Sequence, residues 1–109
     1  MASAHHASEA LVGQAFDCDF GAFVPRLTFG PGRDLRIQAK LGDIDIDQVV
    51  KAEIEDLRPE VFLVSWVEDN GNFIVQVQDH ANRIVHNHAR LADGQVFRAE
   101  GMLRRVPAG

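Results

Sequence analysis

The chain is poor in the features that would narrow its class at once. Among its 109 residues there is a single cysteine, Cys18, so no disulfide can form within the chain and a reducing compartment is expected. Basic runs are missing beyond Arg104-Arg105, and the net charge is -5, so neither nucleic acid nor an anionic membrane is an expected partner. No apolar stretch approaches the ~20 residues of a membrane-spanning helix. The N-terminus lacks the basic flank and apolar core of a secretory leader. Repeats and low-complexity tracts are absent as well. What these absences leave is a cytoplasmic protein as the expectation. With 46% apolar and 25% charged residues, the composition is that of an ordinary globular domain with a modest core.

What the sequence does have is alternation. Residues 1–22 open with an Ala-rich stretch that reads as a tail or a short helix, with Ser8 as its cap and Leu11, Val12 and Ala15 on it. His5 and His6 are incidental to that segment. From Phe23 to Val106 the pattern is that of a single β-domain. "FVPRLTF" leads to the turn "GPGR". "DLRIQAKL" then alternates, with Leu35, Ile37, Ala39 and Leu41 opposite Arg36, Gln38 and Lys40. "IDIDQVVKAEIEDL" fits either a strand or a helical face with Asp47 as N-cap, and its β surroundings favour the strand. Pro59 marks the next turn.

"FLVSWVEDNGNFIVQVQDH" carries the strongest hairpin signal. Read as a two-residue turn at Asn70-Gly71, it pairs Trp66 with Val75, Val64 with Val77 and Phe62 with Asp79. Phe62, Val64, Trp66, Phe73, Val75 and Val77 then share the inner face. Val61, Leu63, Ser65, Val67, Ile74, Gln76 and Gln78 lie outside. "RIVHNHARL" and "QVFRAEGMLRRV" follow, joined by "ADG". Such evenly spaced short strands predict an all-β, antiparallel sandwich or barrel.

The direction of His86 and His88 turns on loop length. Two-residue turns at Ala81-Asn82 and Asp93-Gly94 place Ile84, His86, His88 and Arg90 inside, opposite Phe97, Ala99, Gly101 and Leu103. A slip to a three-residue loop places Val85, Asn87 and Ala89 inside instead. Both registers remain open on the sequence. An inward His86 could join Asp79 and Glu68 in an acid-base group. Against that, Asp79 at a strand end also fits a simple loop cap. His86-x-His88 is half a metal site, and no metal or cofactor is expected from it. Cys18 lies between Asp17 and Asp19, whose charges disfavour a thiolate nucleophile.

The runs "LTFGPGRDLRIQ" and "RPEVFLVSWVEDNGNFIVQVQDHANRIVHNHARLADGQVFRAEGML" resemble small proteins of the MoaF-like group, named after molybdenum cofactor biosynthesis protein F. The resemblance spans about residues 27–106. It rests on Val64 to Glu68, Val77 to Asp79, Asn87 and Gly101. It implies a lipocalin-like (calycin) antiparallel barrel of about seven to eight strands with a central cavity, and it brings no catalytic residues with it.

Three functional expectations follow. The first is a barrel whose interior holds a small apolar or aromatic molecule, with Phe62, Val64, Trp66, Phe73, Val75, Val77, His86, His88, Phe97 and Leu103 as candidate walls. The second is an enzyme acting on a small acid, a decarboxylase or isomerase, using His86, Asp79 and Glu68. The third is a homodimer packed through the outer hairpin face around Val61, Leu63, Val67 and Ile74.

Overall fold

A computed structural model describes residues 9–107. Ser8, His5 and His6 lie outside the described residues. Eight strands follow one another: β1 (Ala15–Asp19), β2 (Arg26–Phe29), β3 (Asp34–Leu41), β4 (Ile44–Arg58), β5 (Val61–Val67), β6 (Phe73–Asp79), β7 (Ile84–Arg90) and β8 (Val96–Arg105). Each pairs antiparallel with the next, and β8 returns to β1 to close the barrel. The ambiguous stretch from Ile44 is a strand. It is long because its first half pairs with β3 and its second half with β5, with a bulge between Asp56 and Arg58. Such bulges let one strand bend around a barrel corner.

The barrel begins earlier than the alternation suggested. β1 lies in the segment read as a tail, and its Phe16 and Cys18 are buried. Before it, a turn around Leu11 folds onto the barrel end. Gly13 N–H donates to the Phe29 carbonyl at 2.7 Å, and Leu11 joins the core.

Two hairpins take a three-residue loop rather than a two-residue turn, and for the same reason. After β5 the Glu68 N–H donates to Asn72 O and the Gly71 N–H to Glu68 O, a three-residue loop with Gly71 at φ 94. After β7 the Leu91 N–H donates to Gln95 O and the Gly94 N–H to Leu91 O, with Gly94 also at φ 94. This is the loop in which a type I turn is followed by one left-handed residue, and glycine takes that position without steric cost. Trp66 therefore pairs with Ile74, Val64 with Gln76, and Phe62 with Gln78. The inner face of β6 is Ile74, Gln76 and Gln78, while Phe73, Val75 and Val77 point outward.

The β6–β7 register is the expected one, with Asp79 opposite Ile84 and Val77 opposite His86. Because β6 itself is turned over, His86 and His88 come to the outside with Val77 and Val75. The slipped β7–β8 hairpin agrees, setting His88 opposite Arg98 and His86 opposite Glu100. Val85, Asn87 and Ala89 face in. Opposite Val85, Gly101 has no room for a side chain, since a Cβ there would strike the Asp19 carbonyl oxygen and the Phe20 ring.

The barrel centre is filled. Leu27, Phe29, Leu35, Val64, Val85, Cys18, Gln76 and Gln78 are all fully buried. An eight-stranded barrel is just wide enough for its side chains to fill, and here they do. The central chamber expected for a ligand is occupied by the core itself.

Candidate functional site

Open space lies at one end. Four pieces of chain meet there: the turn around Leu11, the β4–β5 turn at Pro59-Glu60, the β6–β7 loop from His80 to Arg83, and the end of β8 at Leu103–Arg105. They enclose a half-open cleft of about 810 Å³. Its floor is apolar. Leu11, Phe16, Phe62 and Leu103 line it, each nearly buried where the strands close beneath the cleft. Its rim carries Arg83, Arg104, Arg105 and Glu60.

His80 stands between floor and rim. Its ring meets Phe16 and Phe62 edge-on, with centroids 4.6 and 5.5 Å away. Its backbone N–H donates to the Glu60 carbonyl at 2.9 Å, tying the β6–β7 loop to the β4–β5 turn. Burial pushes the imidazole down from 6.5 to about 4, against the opposing pull of Asp79, so the ring is neutral at pH 7. The Nε2 lies 3.0 Å from Gln78 Oε1. An amide oxygen only accepts, so Nε2 carries the proton and Nδ1 is left as an acceptor.

From His80 a polar chain runs down the inside of β6. Gln78 Nε2 donates to Gln76 Oε1 at 2.8 Å, and Gln76 Nε2 donates to Asn87 Oδ1 at 2.9 Å. The Cys18 Sγ sits 4.0 Å from Gln76 Oε1. Burial first, and Asp17 second, push that thiol up to about 12, so it is a neutral core group and no nucleophile. Each buried amide thus has a partner, which is the condition for tolerating glutamines in a core. At the β4 bulge one atom is less well served: among the described residues, Asp56 Oδ1 is buried without a hydrogen-bond partner.

Of the residues singled out on the sequence, Phe62 and Leu103 line the cleft. Val64 and Trp66 are buried core, and the Trp66 indole N–H donates to Glu68 Oε2 at 3.3 Å. Phe73, Val75 and Val77 lie on the outer surface, and Phe97 is 54% exposed at the far end of the barrel. His86 and His88 are outside, and His86 Nδ1 is 3.4 Å from Glu100 Oε1. The acid-base group of His86, Asp79 and Glu68 is not assembled. Asp79 caps the β6–β7 loop through the Asn82 side chain and backbone, both at 2.9 Å, which hold its carboxyl below the usual range. Glu68 lies beyond the other end of the β5–β6 hairpin, roughly 20 Å away at the rise of a strand. Among the described residues no three His, Cys, Asp or Glu side chains converge as a metal site.

Sequence reasoning passed over His80, Gln78, Gln76, Phe16, Leu11 and the rim arginines. The one available signal was the spacing Gln76-x-Gln78-x-His80, a polar stripe of period two beside a purely apolar one. Polar residues usually face solvent, so the pattern by itself points this stripe outward.

Comparison with known proteins bears on the fold and the family. The chain superposes with a TM-score of 0.83 on the crystal structure of a "putative beta-lactamase from Burkholderia vietnamiensis", at 17% identity, covering 88% of this chain and 95% of that one. At that identity the likeness establishes the barrel alone. Comparison with curated proteins gives no match. The family model described as MoaF-like matches residues 12–104, which takes in all of β1 to β7 and nearly all of β8. This barrel, filled at its centre and open at one mouth, belongs to the MoaF-like family.

Proposed function

We propose that the protein is a small-molecule-binding barrel whose ligand sits in the mouth rather than the centre. The observation that carries this reading is the apolar floor of Leu11, Phe16, Phe62 and Leu103 beneath a cleft of about 810 Å³. Drug-sized ligands occupy sites of ~300–1,000 Å³ with mostly apolar walls and a few placed polar groups. Here an apolar or aromatic body would lie on Phe16 and Phe62, and the neutral His80 ring would offer one polar contact. In a two-dimensional NMR titration with the neutral aromatic N-phenyl-1-naphthylamine, resonances of Leu11, Phe62, His80 and Leu103 are expected to move together. Shifts confined to the Phe97 end, or none at all, refute the reading.

A second reading, self-association, is supported by the outer face of β5 and β6. Leu63, Val75 and Val77 form an apolar patch there, extended by Val67 and Phe73, which are 59% and 44% exposed. Contiguous aliphatic surface of this kind usually marks an interface, and a two-fold pair is its commonest form. The turn around Leu11 covers the mouth and not this patch. Light scattering at micromolar concentration is expected to give a dimer that Val77→Asp converts to a monomer. A monomeric native chain sinks the idea.

A further inference from the structure

The mouth gathers positive charge on a chain that is acidic overall. The protein has a net charge of -5, with 16 acidic and 11 basic residues. Six of the basic side chains, Arg26, Arg33, Arg36, Lys40, Lys51 and Arg104, are paired with an acid among the described residues. Arg58, Arg83, Arg90, Arg98 and Arg105 are not, and of these five Arg83 and Arg105 stand on the rim of the cleft. Arg104 shares that rim, its charge answered by Asp19 at 2.7 Å. Glu60 is the one rim acid. Arg105 lies opposite Phe16 on the inward-facing side of β8, at the strand end that opens into the cleft.

The backbone holds Arg83 in place at a cost. Its φ is 60, the left-handed region that side chains with a Cβ avoid. The Leu103 N–H donates to its carbonyl at 2.9 Å, which ties the residue to β8 beside the cleft floor. A glycine would fill this turn position with less strain. Backbone strain at a charged residue on the edge of a cleft is the pattern expected where the side chain is used.

We propose that the mouth selects amphiphilic organic anions: an apolar or aromatic body on the Phe16–Phe62–Leu103 floor, with one carboxylate-like group between Arg83 and Arg105. This rests on the mouth being the binding site, and it adds the ligand's charge. Guanidinium groups bind carboxylates by charge-assisted, often bidentate hydrogen bonds, and a half-open apolar site strengthens them relative to water. The neutral His80 leaves the selection to the arginines.

The test uses two probes with the same aromatic body. 8-Anilinonaphthalene-1-sulfonate bears one anionic group and N-phenyl-1-naphthylamine bears none. Binding is followed in the full chain by energy transfer from Trp66, the only tryptophan. At low salt the anionic probe is expected to bind at least about tenfold more tightly. Arg83→Gln with Arg105→Gln should bring it to the neutral probe's level and leave the neutral probe unchanged. Arg90→Gln with Arg98→Gln, which removes the same charge from the outer surface, should change neither, and thermal melts verify that each variant folds. Equal binding of both probes overturns the anion preference while the mouth reading stands. A preference that survives loss of Arg83 and Arg105, or that the Arg90 and Arg98 changes abolish equally, also overturns it. Binding of neither probe defeats the mouth reading as well.

Discussion

The two ends of this barrel solve the same turn problem with different residues. At the far end, the four loops β1–β2, β3–β4, β5–β6 and β7–β8 each reach positive φ with a glycine: Gly21, Gly42, Gly71 and Gly94. At the mouth, the three loops β2–β3, β4–β5 and β6–β7 each place a charged residue there: Arg33 at φ 71, Glu60 at φ 64 and Arg83 at φ 60. Glycine is the low-strain solution, and the far end uses it throughout. The mouth uses glycine too, with Gly32 at φ 62 beside Arg33 and Gly13 at φ 85 in the turn around Leu11, but it also accepts strain to keep three charged side chains. Arg33 uses its side chain in a pair with Glu53 at 2.6 Å, whereas Glu60 and Arg83 project at the cleft. One end of the barrel is built for closure and the other for display.

The sharpest way to break this contrast lies just beneath the mouth. Gln78→Ala removes the link between His80 and Gln76, leaving the His80 ring N–H without its acceptor and the Gln76 Oε1 without its amide donor. A loss of about 2–3 kcal/mol is expected in urea unfolding. Gln76→Ala and Gln78→Ala should be non-additive in a double-mutant cycle, because the two amides share one chain of bonds. Additive losses would mean that the ladder is no network.

At the far end, Gly71→Ala should cost about 1–2 kcal/mol, since alanine strains at φ 94. The added methyl finds the Ala92 Cβ at 3.4 Å, an ordinary contact, so backbone strain and not crowding sets the loss. A neutral result would show that the loop adapts freely.

Acid separates the ends too. The folded His80 binds its proton near pH 4, below the 6.5 of the unfolded chain. The unfolded chain therefore holds more protons between these values, and stability falls as pH drops through that window. Above 6.5 the contribution is complete. Allowing for screening at a half-open ring, the loss is about 1–2 kcal/mol. Native protein and His80→Gln, compared in urea at pH 7.5 and pH 4, should differ by that amount. Identical pH dependence would show that the ring is freely solvated.

The smallest effect is of opposite sign. Arg83→Gly relieves left-handed strain and should raise stability by about 0.5–1 kcal/mol, which a thermal melt will register. A loss instead would mean that the arginine side chain supports the fold.

Much of this architecture is legible in the residues. Leu35 and Ile37 alternate with Arg36 and Gln38 in β3 as the pattern predicts. The loops fall where Gly, Pro, Asn and Asp cluster, and period-two alternation needs only local sterics to read. The site was less legible. Phe62 and Leu103, expected as walls of a central chamber, lie instead on the floor of the end cleft. Two-residue turns would put Val75, Val77, His86 and His88 inside, and the one extra residue of loop at Gly71 and Gly94 puts them outside.

What the sequence determined alone is the strand class, the turn positions and the family. These follow from short-range patterns that each segment carries within itself. What only the tertiary structure decided is which face is inside. A two-residue turn and a three-residue turn suit Asn-Gly and Asp-Gly equally well, and one residue of slip exchanges every inward side chain for an outward one. That choice is settled by the closed barrel. Gln76 and Gln78 can be buried because they bond to each other, to the half-buried Asn87 and to His80 across two strands. No reading along the chain can see that satisfaction, since it exists only once the strands are side by side.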